Sequence, residues 1–338
     1  MFHVRRAGAK GLGVFASRHI PRGTRLLAEP PLLSITRGQP DVLRAASLLS
    51  NDNVARLLQL STNDSRRARQ ASLALSLLPT LSNILTRKKA SLASNRRVLN
   101  VFYNNNFAIG DEAGTRALFP TVARLNHSCI PSAQGNFNAT WGHFTIHSLR
   151  DIPADEEITI SYLHDEMAPR AARQASLKAG YGFECGCPIC AASDARTASD
   201  ARRAQHHKLL REYHSHAARS SQQQPGSTEL ASAPSTLLAM VRRLTEAYEA
   251  EGLAGRETAS LYSLAARHAM AMGDKELAQR MGKKALDLER DAVGEDSPFF
   301  HTAREALERL DFAPPAVVPA KARGEGEEDE ALSYAPWT

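Results

Sequence analysis

Apolar and polar positions change their period several times along this chain of 338 residues. From Phe2 to Ile35 the stretch GLGVFASRHIPRGTRLLAEPPLLSI alternates short apolar runs with turn residues at Pro21-Arg22-Gly23, which predicts two or three strands. Over residues 38–99, Leu43, Leu48, Leu49, Leu57, Leu58, Leu60, Leu73, Leu75, Leu77, Leu78 and Leu81 recur at helical intervals, predicting a helical insertion. A basic run near its end (Arg87, Lys88, Lys89, Arg96, Arg97) reads either as a solvated helix face or as a substrate-facing patch. Strand signals resume between Phe107 and Leu163: WGHFTIHSL alternates, DIPADEE is a turn, and EITISYL is a β-branched strand. ARQASLKAGY then predicts a short helix, and SQQQPGSTELASAPS an exposed linker.

From Leu237 to Leu310 the pattern is helical again, with a Gly273-Asp274 break between two helices. It resembles tetratricopeptide-type hairpins, although no clean period of about 34 residues repeats. The tail from Ala313, with GEGEEDE, reads as disordered. Hydrophobic residues make up 43% of the chain and charged residues 23%, enough apolar material for a real core. No apolar run approaches the ~18 residues of a membrane span, and MFHVRRAGAKG has no signal-peptide core, so the expected address is cytoplasmic or nuclear, with no membrane partner. A net charge of +6 is too small to establish a nucleic-acid partner, and no recognition motif accompanies it.

The four cysteines are Cys129, Cys185, Cys187 and Cys190, three of them crowded into CGCPIC and one far upstream in NHSC. Thiols spaced C-x-C-x-x-C pair with one another only under strain, but they can converge on one metal ion. Four thiolates complete the tetrahedral set of Zn²⁺ and leave no position for water, so one structural zinc is expected. The alternative is a trio of ordinary reduced cysteines and one core cysteine.

Other residues gain meaning only together. Lys10-Gly11-Leu12-Gly13 lets a backbone approach a ligand closely, but it lacks the third glycine and the βαβ unit of a dinucleotide fingerprint. Asn126-His127-Ser128-Cys129 follows, then Ile160-Ser161-Tyr162, then Tyr181-Gly182-Phe183-Glu184-Cys185. Alone, Tyr162 reads as a half-buried sheet residue, His127 as a structural hydrogen-bonder, and Phe183 as packing under the cysteine loop. His206-His207 and His214 to His216 carry metal-like spacing but read as an exposed helix face.

In this order, GLGVFA, NHSC, ITISY and YGFECGCPIC resemble the SET-domain methyltransferases, and within them the SMYD-like branch, as a fungal-type SET protein. The resemblance covers roughly residues 1–36 and 98–192. No MYND zinc module is present, since residues 38–97 hold no cysteine, and Ser132 stands where the branch commonly has Asn. The resemblance implies an α+β fold: a β-rich SET domain of small sheets with a knot-like active site, a helical insertion, a post-SET zinc loop and a C-terminal helical domain. The corresponding boundaries are 1–36 and 98–168 for the two SET parts, 37–97 for the insertion and 169–192 for the zinc region. Residues 193–235 are expected as helix and linker, 236–312 as the tetratricopeptide-like domain and 313–338 as the tail.

It further implies that Lys10, Gly11, Leu12, Gly13, Asn126, the His127 backbone and Phe183 border S-adenosylmethionine. Tyr162 would stand beside the transferable methyl group with Tyr181 next to it, and Phe107 would share the channel wall. Cys129 would join Cys185, Cys187 and Cys190 on zinc. The expected activity is methyl transfer to a lysine of a protein substrate by a monomer. A SET scaffold without chemistry, and methylation of a small molecule, are the competing functions.

Overall fold

The structure, a computed structural model, describes residues 1–36, 42–63, 92–109, 115–191, 193–222 and 228–309. Ten short strands make three small sheets among these residues. The first holds β1 (Phe2–Arg6), β2 (Leu12–Ala16), β10 (Glu157–Ile160) and β7 (Asn126–His127) in the order β1-β2-β10-β7. The second is β3 (Arg25–Glu29), β9 (His143–Ser148) and β8 (Ala133–Asn138), in that order. The third is β4 (Leu33–Ile35), β6 (Arg116–Leu118) and β5 (Asn106–Ala108). The first thirty-five residues thus supply four strands, β1 to β4, one more than the turn signals predict. The tight Pro31–Leu32 corner separates β3 from β4 without a glycine to announce it.

One pairing positions the site. β10 runs antiparallel to β2, with Ile158 opposite Val14, and parallel to β7, with Thr159 opposite Asn126 and Ile160 opposite His127. Parallel strands cannot be joined by a tight turn. Here the β8–β9 hairpin lies between them, so two chain segments that are distant in sequence run side by side. The Ser128 N–H extends the pair by donating to the Ile160 carbonyl at 3.0 Å. Val14, Ile20, Leu26, Phe119, Phe144, Ile146, Ile152 and Ile158 form the core under these sheets.

In the insertion, α1 (Val42–Ser47), α2 (Asn51–Leu58) and α3 (Leu92–Asn105) bury Leu43, Leu57, Leu60, Leu99 and Phe102 with Leu33 and Leu118. Leu48, placed on the apolar stripe by periodicity, is 82% exposed because α1 ends before it. The α3 helix continues past residue 97, burying Val101 and Phe102. Leu73, Leu75, Leu77, Leu78, Leu81, Arg87, Lys88 and Lys89 lie outside the described residues, as does the tail from Ala313.

After α4 (Arg170–Tyr181), the C-terminal helices are α5 (Asp194–Gln222), α6 (Thr228–Ala250), α7 (Arg256–Ala271), α8 (Lys275–Val293) and α9 (Pro298–Glu308). The described parts of the expected linker, residues 221–222 and 228–235, are helical, and residues 223–227 lie outside the described residues. The linker's Ser, Ala, Leu and Gln residues are tolerated in helices, and α6 accommodates Pro234 internally. Leu209, Tyr213, Leu237, Val241, Leu244, Ala265 and Ala269 form the core of this region. The Gly273-Asp274 break falls where Asp274 caps α8, accepting the Leu277 N–H at 3.0 Å. Among the described residues no helix is long and apolar enough to cross a membrane.

The alternation of β8 places Gln134, Asn136 and Asn138 on one face, and all three bond to the C-terminal helical region. Gln134 Oε1 accepts the Arg256 N–H at 3.0 Å, Asn136 donates to the Ala292 carbonyl at 3.1 Å, and Asn138 donates to that of Asp296 at 3.2 Å. Ion pairs of Arg22 with Asp291 and Arg25 with Asp296 flank this amide row.

Candidate functional site

Cys129 follows directly on β7, and the loop after α4 carries the other three cysteines. The four sulfurs lie within 4.8 Å of one another, and all four residues are buried. Gln174 of α4 clamps the loop from both sides: its amide donates to the Cys185 carbonyl, and its oxygen accepts the Cys185 N–H, each at 2.8 Å. A convergence of four buried Sγ atoms fits one tetrahedral ion, and the donor type suits zinc.

A charge that sequence reading missed supports the fit. Arg173 is 0% exposed, and its guanidinium donates to Cys129 Sγ at 3.3 Å, to Cys190 Sγ at 3.5 Å and to the Ala168 carbonyl at 2.5 Å. A cation so deeply buried needs a counter-charge, and the thiolates are the acceptors that face it. Within the cluster, hydrogen bonds from Cys129, Cys185 and Arg173 draw the Cys190 thiol down, whereas Cys129 is pushed up by its cysteine neighbours and by burial. The signal available in the sequence was helical register: Arg173 stands one turn before Leu177 on the apolar stripe of α4.

His127 connects this cluster to Tyr162. The Tyr162 N–H donates to His127 Nδ1 at 3.1 Å, which leaves the ring proton on Nε2, 3.3 Å from Cys129 Sγ. Burial holds this imidazole neutral, its pKa lowered to about 4. The side chain of His127, and not its backbone alone, is thus built into the site.

Tyr162 lies two residues past the end of β10. Its hydroxyl donates to the Leu125 carbonyl at 2.6 Å, so the phenol oxygen keeps its lone pairs as acceptors. Its ring lies 4.8 Å from Tyr181, 5.4 Å from His127 and 6.4 Å from Phe183. Phe183 in turn lies 6.2 Å from His127. Burial pushes both phenol pKa values up, keeping Tyr162 and Tyr181 protonated. Phe107 is placed differently: its ring meets Phe144 at 4.8 Å and Phe119 at 6.1 Å, against the core that also underlies Tyr162. Gly182 (φ 78°) ends α4 between Tyr181 and Phe183, and a Cβ there would come within 2.9 Å of Asn63 Oδ1.

On the other side of the β7–β10 pair, the Asn126 side-chain amide donates to the Leu12 carbonyl at 3.1 Å and to Glu157 Oε1 at 2.7 Å. Lys10 Nζ donates to Glu157 Oε2 at 2.6 Å, and Gly11 (φ 84°) turns the chain between them. A Cβ on Gly13 would lie 2.7 Å from Glu157 Oε1 and 2.9 Å from Asn126 Nδ2, so a larger residue there would push this polar group aside. Glu157 was not singled out by sequence reading, because a carboxylate opening a β-branched strand looks like turn chemistry. Ser132 retains a hydrogen bond at the position where the branch commonly has Asn: its Oγ accepts the Thr159 N–H at 3.0 Å. His206 corrects the expectation of an exposed face, being buried with its ring 5.3 Å from Tyr248, whereas His214 is exposed.

The SET domain family model matches residues 11–163 of the chain, the stretch that carries the Gly11–Gly13 turn, Asn126, His127, Cys129 and Tyr162. Its relatives include the histone-lysine N-methyltransferase set5 of Schizosaccharomyces pombe, 28% identical over 198 residues, which cover 58% of this chain and 53% of that protein. The histone-lysine N-methyltransferase SMYD3 of Homo sapiens is 39% identical over 77 residues, or 23% of this chain and 17% of that one. ATXR2 of Arabidopsis thaliana, also named a histone-lysine N-methyltransferase, is 43% identical over 90 residues, covering 25% and 18%. The chain thus spans about half the length, or less, of these relatives.

Proposed function

We propose that the protein is an S-adenosylmethionine-dependent protein-lysine N-methyltransferase with one structural zinc ion. The observation that carries the reading is the His127 bridge, which fastens the Tyr162 backbone to a Cys129 sulfur beside the Lys10–Gly13 face. The names of these three relatives, each a histone-lysine N-methyltransferase, support the same chemistry.

Cys129, Cys185, Cys187 and Cys190 would hold zinc, which would fix the loop carrying Phe183 over the aromatic group. Gly11, Leu12, Gly13, Lys10, Asn126, His127 and Phe183 would hold the cofactor, with Tyr162 reaching its reacting end. When bound, S-adenosylmethionine supplies an electrophilic methyl group on a sulfonium. The residues themselves must deliver a neutral amine. A lysine has an ordinary pKa near 10.4, so neutralising it at pH 7 costs about 4.6 kcal/mol. The Tyr162–Tyr181 pair lowers that cost by excluding water from the ammonium. With its proton committed to Leu125, the Tyr162 oxygen can accept a polarised C–H or orient the amine. The acceptor is proposed to be a protein lysine, and the protein is proposed to act in the cytoplasm or nucleus.

Transfer of labelled methyl groups into a proteome extract, followed by mapping of the modified residue, tests the reading. Wild type should label lysine, and Tyr162→Phe should reduce the rate on the order of 10²-fold with zinc content unchanged. Absence of any methyl transfer by zinc-loaded wild type would overturn it.

A further inference from the structure

The Glu157 carboxylate ties the turn at Lys10–Gly13 to Asn126, with each oxygen holding a different partner. Its backbone opens β10, the strand held between β2 and β7. The exposures of the ion pair are unequal: the Glu157 side chain is 17% exposed and that of Lys10 46%. The carboxylate is therefore the fixed member, and the ammonium is the end that reaches solvent.

We infer that Glu157 is a positioning residue that prepares this face for the zwitterionic amino-acid end of a sulfonium donor. The inference rests on the proposed function and adds a residue to it. A carboxylate can only accept, so it draws the Nδ2 side of the Asn126 amide toward itself. The Leu12 carbonyl, also an acceptor, imposes the same orientation. Asn126 Oδ1 is thereby kept as an acceptor, suited to an ammonium group. Lys10, a long flexible side chain, is held as a donor suited to a carboxylate. The bare Cα of Gly13 leaves room for the carboxylate that does both. Glutamine at 157 would present an amide of its own, lose the ion pair, and allow Asn126 to flip.

Calorimetric titration of the full chain with two ligands separates this role from a structural one. S-adenosylhomocysteine carries the amino-acid end, whereas 5′-methylthioadenosine shares the nucleoside and lacks that end. Glu157→Gln should weaken S-adenosylhomocysteine about tenfold, the cost of losing charge-assisted bonds, and methylthioadenosine less than about twofold. Glu157→Asp, which keeps the acceptor on a shorter arm, should fall between wild type and Glu157→Gln. Equal weakening of both ligands, or of neither, would overturn the inference while leaving the proposed function intact. Wild type binding neither ligand would overturn both.

Discussion

The Arg173 guanidinium sits 3.3 Å from the Cys129 sulfur at a position with no access to solvent. Among the described residues no carboxylate accepts from it, and the acceptors that face it are two sulfurs and the Ala168 carbonyl. Groups that bond to metal ligands typically change metal affinity by about 10–100-fold when removed. Arg173→Met should therefore speed zinc loss to a chromophoric chelator by about that factor. Arg173→Lys, which keeps a charge but not the fork, should have a smaller effect. Release rates equal to wild type in both variants would show that the guanidinium does not act on the metal.

A second buried cation stabilises the junction of α5 and α6. The side chains of Arg203 and Glu251 are both fully buried and meet at 2.8 Å, with Ser199 donating to the same carboxylate at 2.6 Å and Arg202 at 2.7 Å. Arg203 also donates to the carbonyls of Glu166 and Cys129, which links the C-terminal helices to the site. Removing one partner of such a pair leaves a charge stranded. Glu251→Ala should cost about 3–5 kcal/mol in urea denaturation. A loss below about 1 kcal/mol would mean that water reaches Arg203 once the carboxylate is gone.

Acid should destabilise the fold through buried neutral histidines. Burial, aided by the Arg267 charge, lowers His268 to about 4, with its ring 3.0 Å from the Tyr213 hydroxyl. His147 is likewise lowered to about 4 by burial and by Arg25. The unfolded imidazole, with a pKa near 6.5, takes up its proton first as pH falls. Stability is therefore fully present above about pH 6.5 and declines from there toward pH 4. His268→Gln, which hydrogen-bonds without titrating, should reduce that slope by up to about 1.4 kcal/mol per pH unit, read from denaturation at pH 7 and pH 5. An unchanged slope would assign the pH dependence to other groups.

Much of the candidate site is legible in the sequence, because its signals are local. Gly11 and Gly13 mark a close backbone approach, CGCPIC crowds three thiols, and the alternation of WGHFTIHSL and the β-branched run EITI announce strands. Even the Gly273-Asp274 helix break is a capping signal confined to a few residues. The linker expectation is harder to read for the same local reason: Ser, Ala and Gln describe loops and helices equally well, and nothing short of packing decides between them.

The amino-acid sequence alone determined which chemistries were available: four thiols, a pair of phenols near a cysteine loop, and glycines where a ligand could lie. Only the tertiary structure decided their partners. The parallel register of β7 and β10 places Tyr162 against His127 and Glu157 beside Asn126, and the antiparallel β2–β10 pair brings Glu157 to the turn that carries Lys10. The packing of α4 drives Arg173 among the sulfurs. Strand periodicity says which face a residue occupies but not which distant strand lies alongside. That choice follows from burying one continuous core, to which residues from Val14 to Ile160 contribute at once.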